Sequence, residues 1–348
     1  MSGQTKTAPS QDGHDKPETV STVSQDSSDL SDPFQGLSFS VGVAENKNGA
    51  YRAKMEDVHT YVANFAERLD WGYFAIFDGH AGKSTARWCG NNLHGLLEQA
   101  ILEKEVEPSI SDATPSGLYD MKQLLCDVFV KADEIIDKDG SGSSGSTAAV
   151  AILRWETDDS KQPDSSSISN SRTKSLGTVP KFDFVPGKNH KRMLYTSNVG
   201  DSRIVLCRGG RSYRLSYDHK ASDPNEIQRV RDEGGLILKN RVNGVFAITR
   251  SLGDSYIKNL VTGKPFTTAT EITDEDEFLI LACDGVWDVI SDQQACRFVQ
   301  DFFNSQRIEK QPYDPSLAAK KLCALAIEKA TTDNITVMVV RLDSNVFA

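Results

Sequence analysis

Two apolar runs in the chain stop on the same pair of residues. Tyr73 to Phe77 in "GYFAIFDGHAG" end on Asp78-Gly79, and Phe278 to Cys283 in "FLILACDGVWDVI" end on Asp284-Gly285. Apolar runs without polar alternation predict strands buried on both faces. "TAAVAILRW", "MLYTSNVGDSRIVLC" and "DNITVMVVRL" are rich in β-branched residues and predict further strands. Helices are predicted at "GKSTARWCGNNLHGLLEQAILEKE", "LYDMKQLLCDVFVKADEIIDK", "DPNEIQRVRDEGG", "SDQQACRFVQDFFNSQ" and "DPSLAAKKLCALAIEKA". The last opens on Asp314-Pro315 and sets Leu317, Leu322, Leu325 and Ile327 at near-helical spacing. Strands come in runs with helices clustered between them, which predicts an α+β fold with mainly antiparallel sheet rather than alternating βαβ units.

Two segments lack any such pattern. Residues 1–35 hold almost no apolar side chains and cannot offset their ordering entropy, so a disordered tail is expected. A second polar tract, 156–191, interrupts two strand-like stretches. It reads as a disordered insertion at 157–190, joining neighbouring antiparallel strands within one domain spanning 36–344.

Composition narrows the function classes. A formal net charge of −10 argues against a nucleic-acid partner, which would demand a basic stripe. An acidic protein acting on phosphates must overcome repulsion, and bound cations are one means. The six cysteines form no C-x-x-C pair and several lie in apolar segments, as expected of reduced, buried thiols. No apolar run approaches the ~20 residues of a membrane span. The start shows neither a signal-peptide core nor the Gly at position 2 that myristoylation requires. The expected location is cytoplasmic or nuclear, with no membrane partner.

A carboxylate at the end of a doubly buried strand is expensive unless compensated. One reading of Asp-Gly is a turn whose Asp caps the next helix. The chain offers more: Glu56-Asp57 in "YRAKMEDVHTYV", Asp201 in "NVGDSRIVL", Asp288, and Asp333 in "TTDNITVMVV", each beside a strand-like run. Carboxylates gathered at one sheet end repel unless hard cations sit among them. An all-oxygen donor set suits Mg²⁺ or Mn²⁺ rather than zinc.

"YRAKMEDVH", "FAIFDGHAG", "GSTAAV", "NVGDSRIVL", "ITRSLGD", "LACDGVWDVI" and "TTDNITVMVV", taken in this order, resemble the motif set of the type 2C metal-dependent serine/threonine protein phosphatases. The resemblance runs from about residue 39 to 342. "VGVAENKNG" and "MEDVHTYVANFAERLDWGYF" look especially like fungal members that restrain stress-activated MAP kinase signalling. The resemblance implies a four-layer αββα sandwich with a metal site at one end, between the sheets. It implies that Asp78 bridges two Mg²⁺ or Mn²⁺ ions, with the Gly79 carbonyl on one and Asp284 and Asp333 on the other. Glu56 and Asp57 would act through water, and Asp201 and Asp288 would join Asp284 around a weaker third ion. Arg52 matches the residue that grips the substrate phosphate, and a guanidinium fork suits that task. His80 matches the general acid, whereas His59, His94 and His219 match no catalytic position.

The implied reaction is hydrolysis of phosphoserine and phosphothreonine in proteins, by a hydroxide bridging the two ions. The implied partners are phosphorylated proteins, MAP kinases among them, acted on by a monomer. "DHKASDPNEIQRVRDEGG" and the following "RVNGVFAITRSLGD" match the family's variable flap and the segment returning from it, or else form a packed helical connection. In "KFDFVPG", Phe182 and Phe184 resemble a Phe-x-Phe-Pro docking element interrupted by Val185, or else cover a sheet edge.

Three rivals fare worse. A cysteine-based phosphatase needs Arg six residues after its Cys, and those positions here are Gly95, Ala132, Tyr213, Val289, Phe302 and Lys329. A non-catalytic phosphoprotein scaffold would be favoured by a lost ligand, and none is lost. A two-metal nuclease conflicts with the acidic charge.

Overall fold

The computed structural model describes residues 36–106, 119–139, 143–157 and 189–347. One antiparallel sheet is built from β1 (Phe39–Asn46), β8 (Arg203–Arg208), β9 (Arg211–Arg214), β14 (Asp276–Ala282) and β15 (Ile335–Leu342), in the order β1-β15-β14-β8-β9. The other holds β2 (Val58–Ala63), β3 (Gly72–Phe77), β6 (Ala148–Thr157), β7 (His190–Val199) and β13 (Phe266–Ile272), in the order β13-β7-β6-β3-β2.

The uninterrupted apolar runs are explained by side-chain alternation between two cores. From β3, Phe74 and Ile76 enter a central core with Leu279 and Leu281 of β14 and Met338 and Val340 of β15. Tyr73, Ala75 and Phe77 point the other way, onto α1 (Ser84–Val106) and α2 (Met121–Lys138) through Leu93, Leu97 and Phe129. From β14, Phe278, Ile280 and Ala282 face α5 (Asp292–Ile308) and α6 (Pro315–Glu328) through Ala295, Val299, Ala318 and Leu322. The layers are therefore helix, sheet, sheet, helix, as expected.

The predicted helices form, with caps the sequence carries. Asp120 accepts from the Lys122 and Gln123 amides ahead of α2, and Ser291 with Gln294 makes a capping box at α5. Asp314 caps α6, with Pro315 in its first turn. β6 and β7 pair from Ala148↔Val199 to Thr157↔His190, so the polar tract does join neighbouring antiparallel strands. The tail 1–35, most of the insertion, and Phe182 and Phe184 lie outside the described residues.

One feature has no counterpart in the sequence pattern. A small sheet joins β4 (Gly79–His80), β5 (Gly145–Ser146) and β12 (Leu252–Gly253), strands too short to show a period. The flap segment forms a unit with its own core of Ala221, Val230, Val242, Phe246 and Val261. It comprises α3 (Pro224–Asp232) and the hairpin of β10 (Ile237–Leu238) and β11 (Arg241–Val242). The packed reading of that segment holds, and the unit also reaches the site: the Phe246 and His80 rings are 6.2 Å apart.

Candidate active site

Helix capping does not explain the two Asp-Gly pairs. After Asp78 the chain continues into β4. Asp284 opens the short helix α4 (Asp284–Trp287), whose N-cap is Cys283 without a side-chain bond, and the Asp284 Oδ1 atom has no partner. The glycines have a different cause. A Cβ on Gly79 would lie 2.7 Å from the Glu56 carbonyl oxygen, and a Cβ on Gly285 would lie 2.0 Å from that of Asn334. Each glycine thus lets a second acid-bearing segment, Glu56-Asp57 or Asp333, pack directly on a strand end.

Those segments are held in place by side chains. Asn334 donates from Nδ2 to the carbonyls of Lys47 and Lys54, at 2.8 and 3.0 Å, and accepts from the Glu56 amide at 2.9 Å. Asn48 donates to the Thr331 carbonyl at 2.8 Å. The loop carrying Arg52, Glu56 and Asp57 is therefore pinned to the start of β15. Thr336 donates to Asp57 Oδ2 at 2.7 Å, leaving the buried Oδ1 without a partner.

The acids form one electrostatic cluster. Burial pushes the Asp57 carboxyl up to about 6, with Asp333 adding repulsion against the Thr336 hydrogen bond. Asp78 is raised well above the carboxylate range by burial, then by Asp57, Asp284, Asp201 and Asp333. Asp284 is raised by burial, then by Asp201, Asp333 and Asp288. Asp57, Asp78 and Cys283 each present a ligand atom within 4.8 Å of one another. Burial also raises the Cys283 thiol, which keeps it protonated and leaves oxygen as the available donor. Buried carboxylates with partner-free oxygens and mutual repulsion fit a hard cation such as Mg²⁺ or Mn²⁺.

Three polar side chains frame the cluster. Arg52 is exposed, with Nη2 2.5 Å from Asp333 Oδ2 and Nε donating to the Thr332 carbonyl at 3.2 Å. Lys220 Nζ lies 2.8 Å from Asp288 Oδ1 and 3.3 Å from Asp201 Oδ2. His80 Nε2 lies 2.7 Å from Oδ2 of Asp254, a fully buried carboxylate that also accepts from Ser251 at 2.6 Å. His219 is buried, with its ring hydrogen-bonded to the Gly200 carbonyl. All six cysteines are free thiols, five of them buried. Among the described residues no helix is long and apolar enough to cross a membrane.

A family profile for Protein phosphatase 2C matches residues 41–335. The chain belongs to the protein phosphatase 2C family. It is 52% identical over 306 residues to Protein phosphatase 2C homolog 1 of Saccharomyces cerevisiae, covering 88% of this chain and 94% of that protein. It is 39% identical over 315 residues to Protein phosphatase 2C homolog 1 of Schizosaccharomyces pombe, covering 90% and 76%. The fold matches a crystal structure of a Toxoplasma gondii phosphatase with a TM-score of 0.64 at 21% identity, over 88% of this chain and 94% of that one. The phosphatase is therefore a metal-dependent protein-serine/threonine phosphatase, similar among others to fungal members.

Within the phosphatase, Asp57, Asp78, Asp201, Asp284, Asp288 and Asp333 are drawn together, with Glu56 and Gly79 beside them. Sequence reasoning missed Asp254, Lys220, Asn334, Thr336 and Cys283. Most lie inside or next to quoted motifs, and only long-range packing shows what they touch.

Proposed function

We propose that this phosphatase hydrolyses phosphoserine and phosphothreonine in proteins at the acidic cluster between Asp78 and Asp284. The observation that carries this reading is the convergence of acidic side chains at the ends of β3 and β14, where Asp57 Oδ1 and Asp284 Oδ1 are buried without a partner. Asp78, the Gly79 carbonyl, Asp284 and Asp333 would hold two Mg²⁺ or Mn²⁺ ions, with Glu56 and Asp57 orienting water. Asp201 and Asp288 would hold a third, weaker ion. The cations, when bound, supply a water of lowered pKa and offset charge on the phosphate.

The rest of the work falls to the chain itself. Arg52 pairs with Asp333 in this state, and its exposed guanidinium exchanges that partner for the substrate phosphate. His80 is tied at Nε2 to Asp254, so Nδ1 is the nitrogen left to hand a proton to the departing seryl or threonyl oxygen. Phe246 of the flap unit borders His80 edge-on.

From the motif resemblance to fungal members, we further propose a role in restraining stress-activated MAP kinase signalling, in cytoplasm or nucleus, by a monomer whose catalytic domain spans 36–344. The test is turnover of phosphoserine peptides and of phosphorylated MAP kinases by wild type and Asp78→Asn, with Mg²⁺, Mn²⁺ or chelator. Metal-dependent turnover abolished in the variant is expected. Full turnover in excess chelator refutes the site, and equal rates on MAP kinases and unrelated phosphoproteins refute the pathway assignment.

A further inference from the structure

Lys220 occupies an unusual position for a lysine. Its Nζ reaches Asp288 Oδ1 at 2.8 Å and Asp201 Oδ2 at 3.3 Å, and so bridges two carboxylates from different elements. Asp218, another acid close to Asp201, is already paired with Arg203, at 3.0 Å from Nε and 2.5 Å from Nη2. Among the described residues no other basic side chain forms an ion pair with Asp201 or Asp288. The backbone of Lys220 is fixed as well. It bridges to Ile248, its carbonyl accepts from the Asp223 amide at the cap of α3, and its neighbour Ala221 donates to the Ala247 carbonyl. The lysine therefore stands at the root of the flap unit with its charge delivered into the acidic cluster.

We propose that Lys220 is a built-in cation for this site. Its ammonium takes the place between Asp201 and Asp288 that a third divalent ion would need. The two carboxylates are thereby neutralised and tied to the flap root without a metal, and a divalent ion binds there only by displacing the lysine. Two carboxylates close together demand positive charge, and a tethered ammonium at hydrogen-bond distance supplies it without the entropy of capturing a free ion. This inference rests on the metal reading given under Proposed function.

The experiment is equilibrium Mn²⁺ binding to the metal-free full chain, followed by calorimetry and by the electron paramagnetic resonance signal of free Mn²⁺. Wild type, Lys220→Met and the double variant Lys220→Met/Asp288→Asn are compared. Lys220→Met is expected to take up one more Mn²⁺ than wild type, or to bind its weakest one at least about 10-fold tighter, and the double variant to lose that gain. The tightly bound Mn²⁺ should be the same in all three. Identical isotherms for wild type and Lys220→Met, or a gain that survives in the double variant, overturn the proposal while leaving the metal reading intact. A wild type that binds no Mn²⁺ tightly overturns the metal reading and this inference with it. Lys220→Gln carries the same test if the Met variant does not fold.

Discussion

Nε2 of His80 lies 2.7 Å from Oδ2 of Asp254, although 174 positions separate the two residues. The small β4-β5-β12 sheet makes this meeting possible, since His80 ends β4 and Asp254 follows β12. Asp254 is fully buried, and its other oxygen has no partner, so the carboxylate is committed to His80 and Ser251. Its effect is to fix the ring orientation and hold one proton on Nε2, so that the proton handed to a leaving group comes from Nδ1 of the doubly protonated ring.

If His80 donates to the leaving group, the loss on mutation depends on what leaves. A seryl alkoxide needs a proton, whereas nitrophenolate leaves unaided. His80→Gln is expected to slow phosphoserine peptide hydrolysis by roughly 10²–10⁴-fold and nitrophenyl phosphate hydrolysis far less. Asp254→Asn should show the same split at smaller size, roughly 10–10²-fold on the peptide. Steady-state rates on the two substrates decide it: equal losses on both mean that the pair serves packing or metal positioning instead.

Gly145 offers a steric version of the same test. A Cβ there would lie 2.2 Å from Asp254 Oδ2 and 2.3 Å from His80 Nε2. Gly145→Ala must part the two side chains or shift β5. It is expected to reproduce the Asp254→Asn split and to cost about 1–3 kcal/mol of stability. Peptide turnover at the wild-type rate would show that the pair tolerates separation.

The legibility of this chain in its sequence follows physical lines. β3 and β14 were readable because both faces of each are buried, so no polar residue interrupts them. The carboxylates were readable because a charge at the end of such a strand calls for a cause. β4, β5 and β12 were not readable, because two residues show no period. Asn334 stood in a quoted motif, yet nothing local reveals that its amide pins a loop about 280 residues earlier in the chain. Asp254 and Lys220 were hidden for the same reason: their roles exist only once distant segments meet. The glycines after Asp78 and Asp284 suggested turns, whereas the structure assigns them to the close approach of neighbouring backbone.

Metal removal should reveal the repulsion stored in the cluster. Asp78 is buried among Asp57, Asp284, Asp201 and Asp333, which raises its pKa. In chelator at neutral pH, Asp78→Asn removes a carboxyl whose charged form burial and the neighbouring acids disfavour, and should be more stable than wild type by roughly 1 kcal/mol or more. Added Mn²⁺ should then raise the melting temperature of wild type and leave the variant nearly unchanged, while turnover of the variant falls by roughly 10²-fold or more. Calorimetric melting with and without Mn²⁺ checks both, and a variant less stable than wild type in chelator would sink the argument.

His219 provides a pH dependence separate from catalysis. Its ring is buried, its Nδ1 donates to the Gly200 carbonyl at 3.2 Å, and burial, followed by the nearby Arg250 charge, pushes its pKa down to about 3. The unfolded imidazole takes a proton near pH 6.5. Above that value neither state is protonated, and the ring adds no pH dependence. Below it the unfolded chain binds a proton that the folded ring refuses, so stability falls by up to about 1.4 kcal/mol per pH unit until the folded pKa near 3 is reached. His219→Gln cannot titrate. It should be less stable than wild type at about pH 8, through loss of packing and of the hydrogen bond, and that deficit should shrink as pH falls towards about 5. Urea unfolding of both proteins in the same chelator across this range measures the difference directly, and other titrating groups cancel between them. A deficit that stays constant with pH would mean that His219 is protonated in the folded state as readily as in the unfolded one.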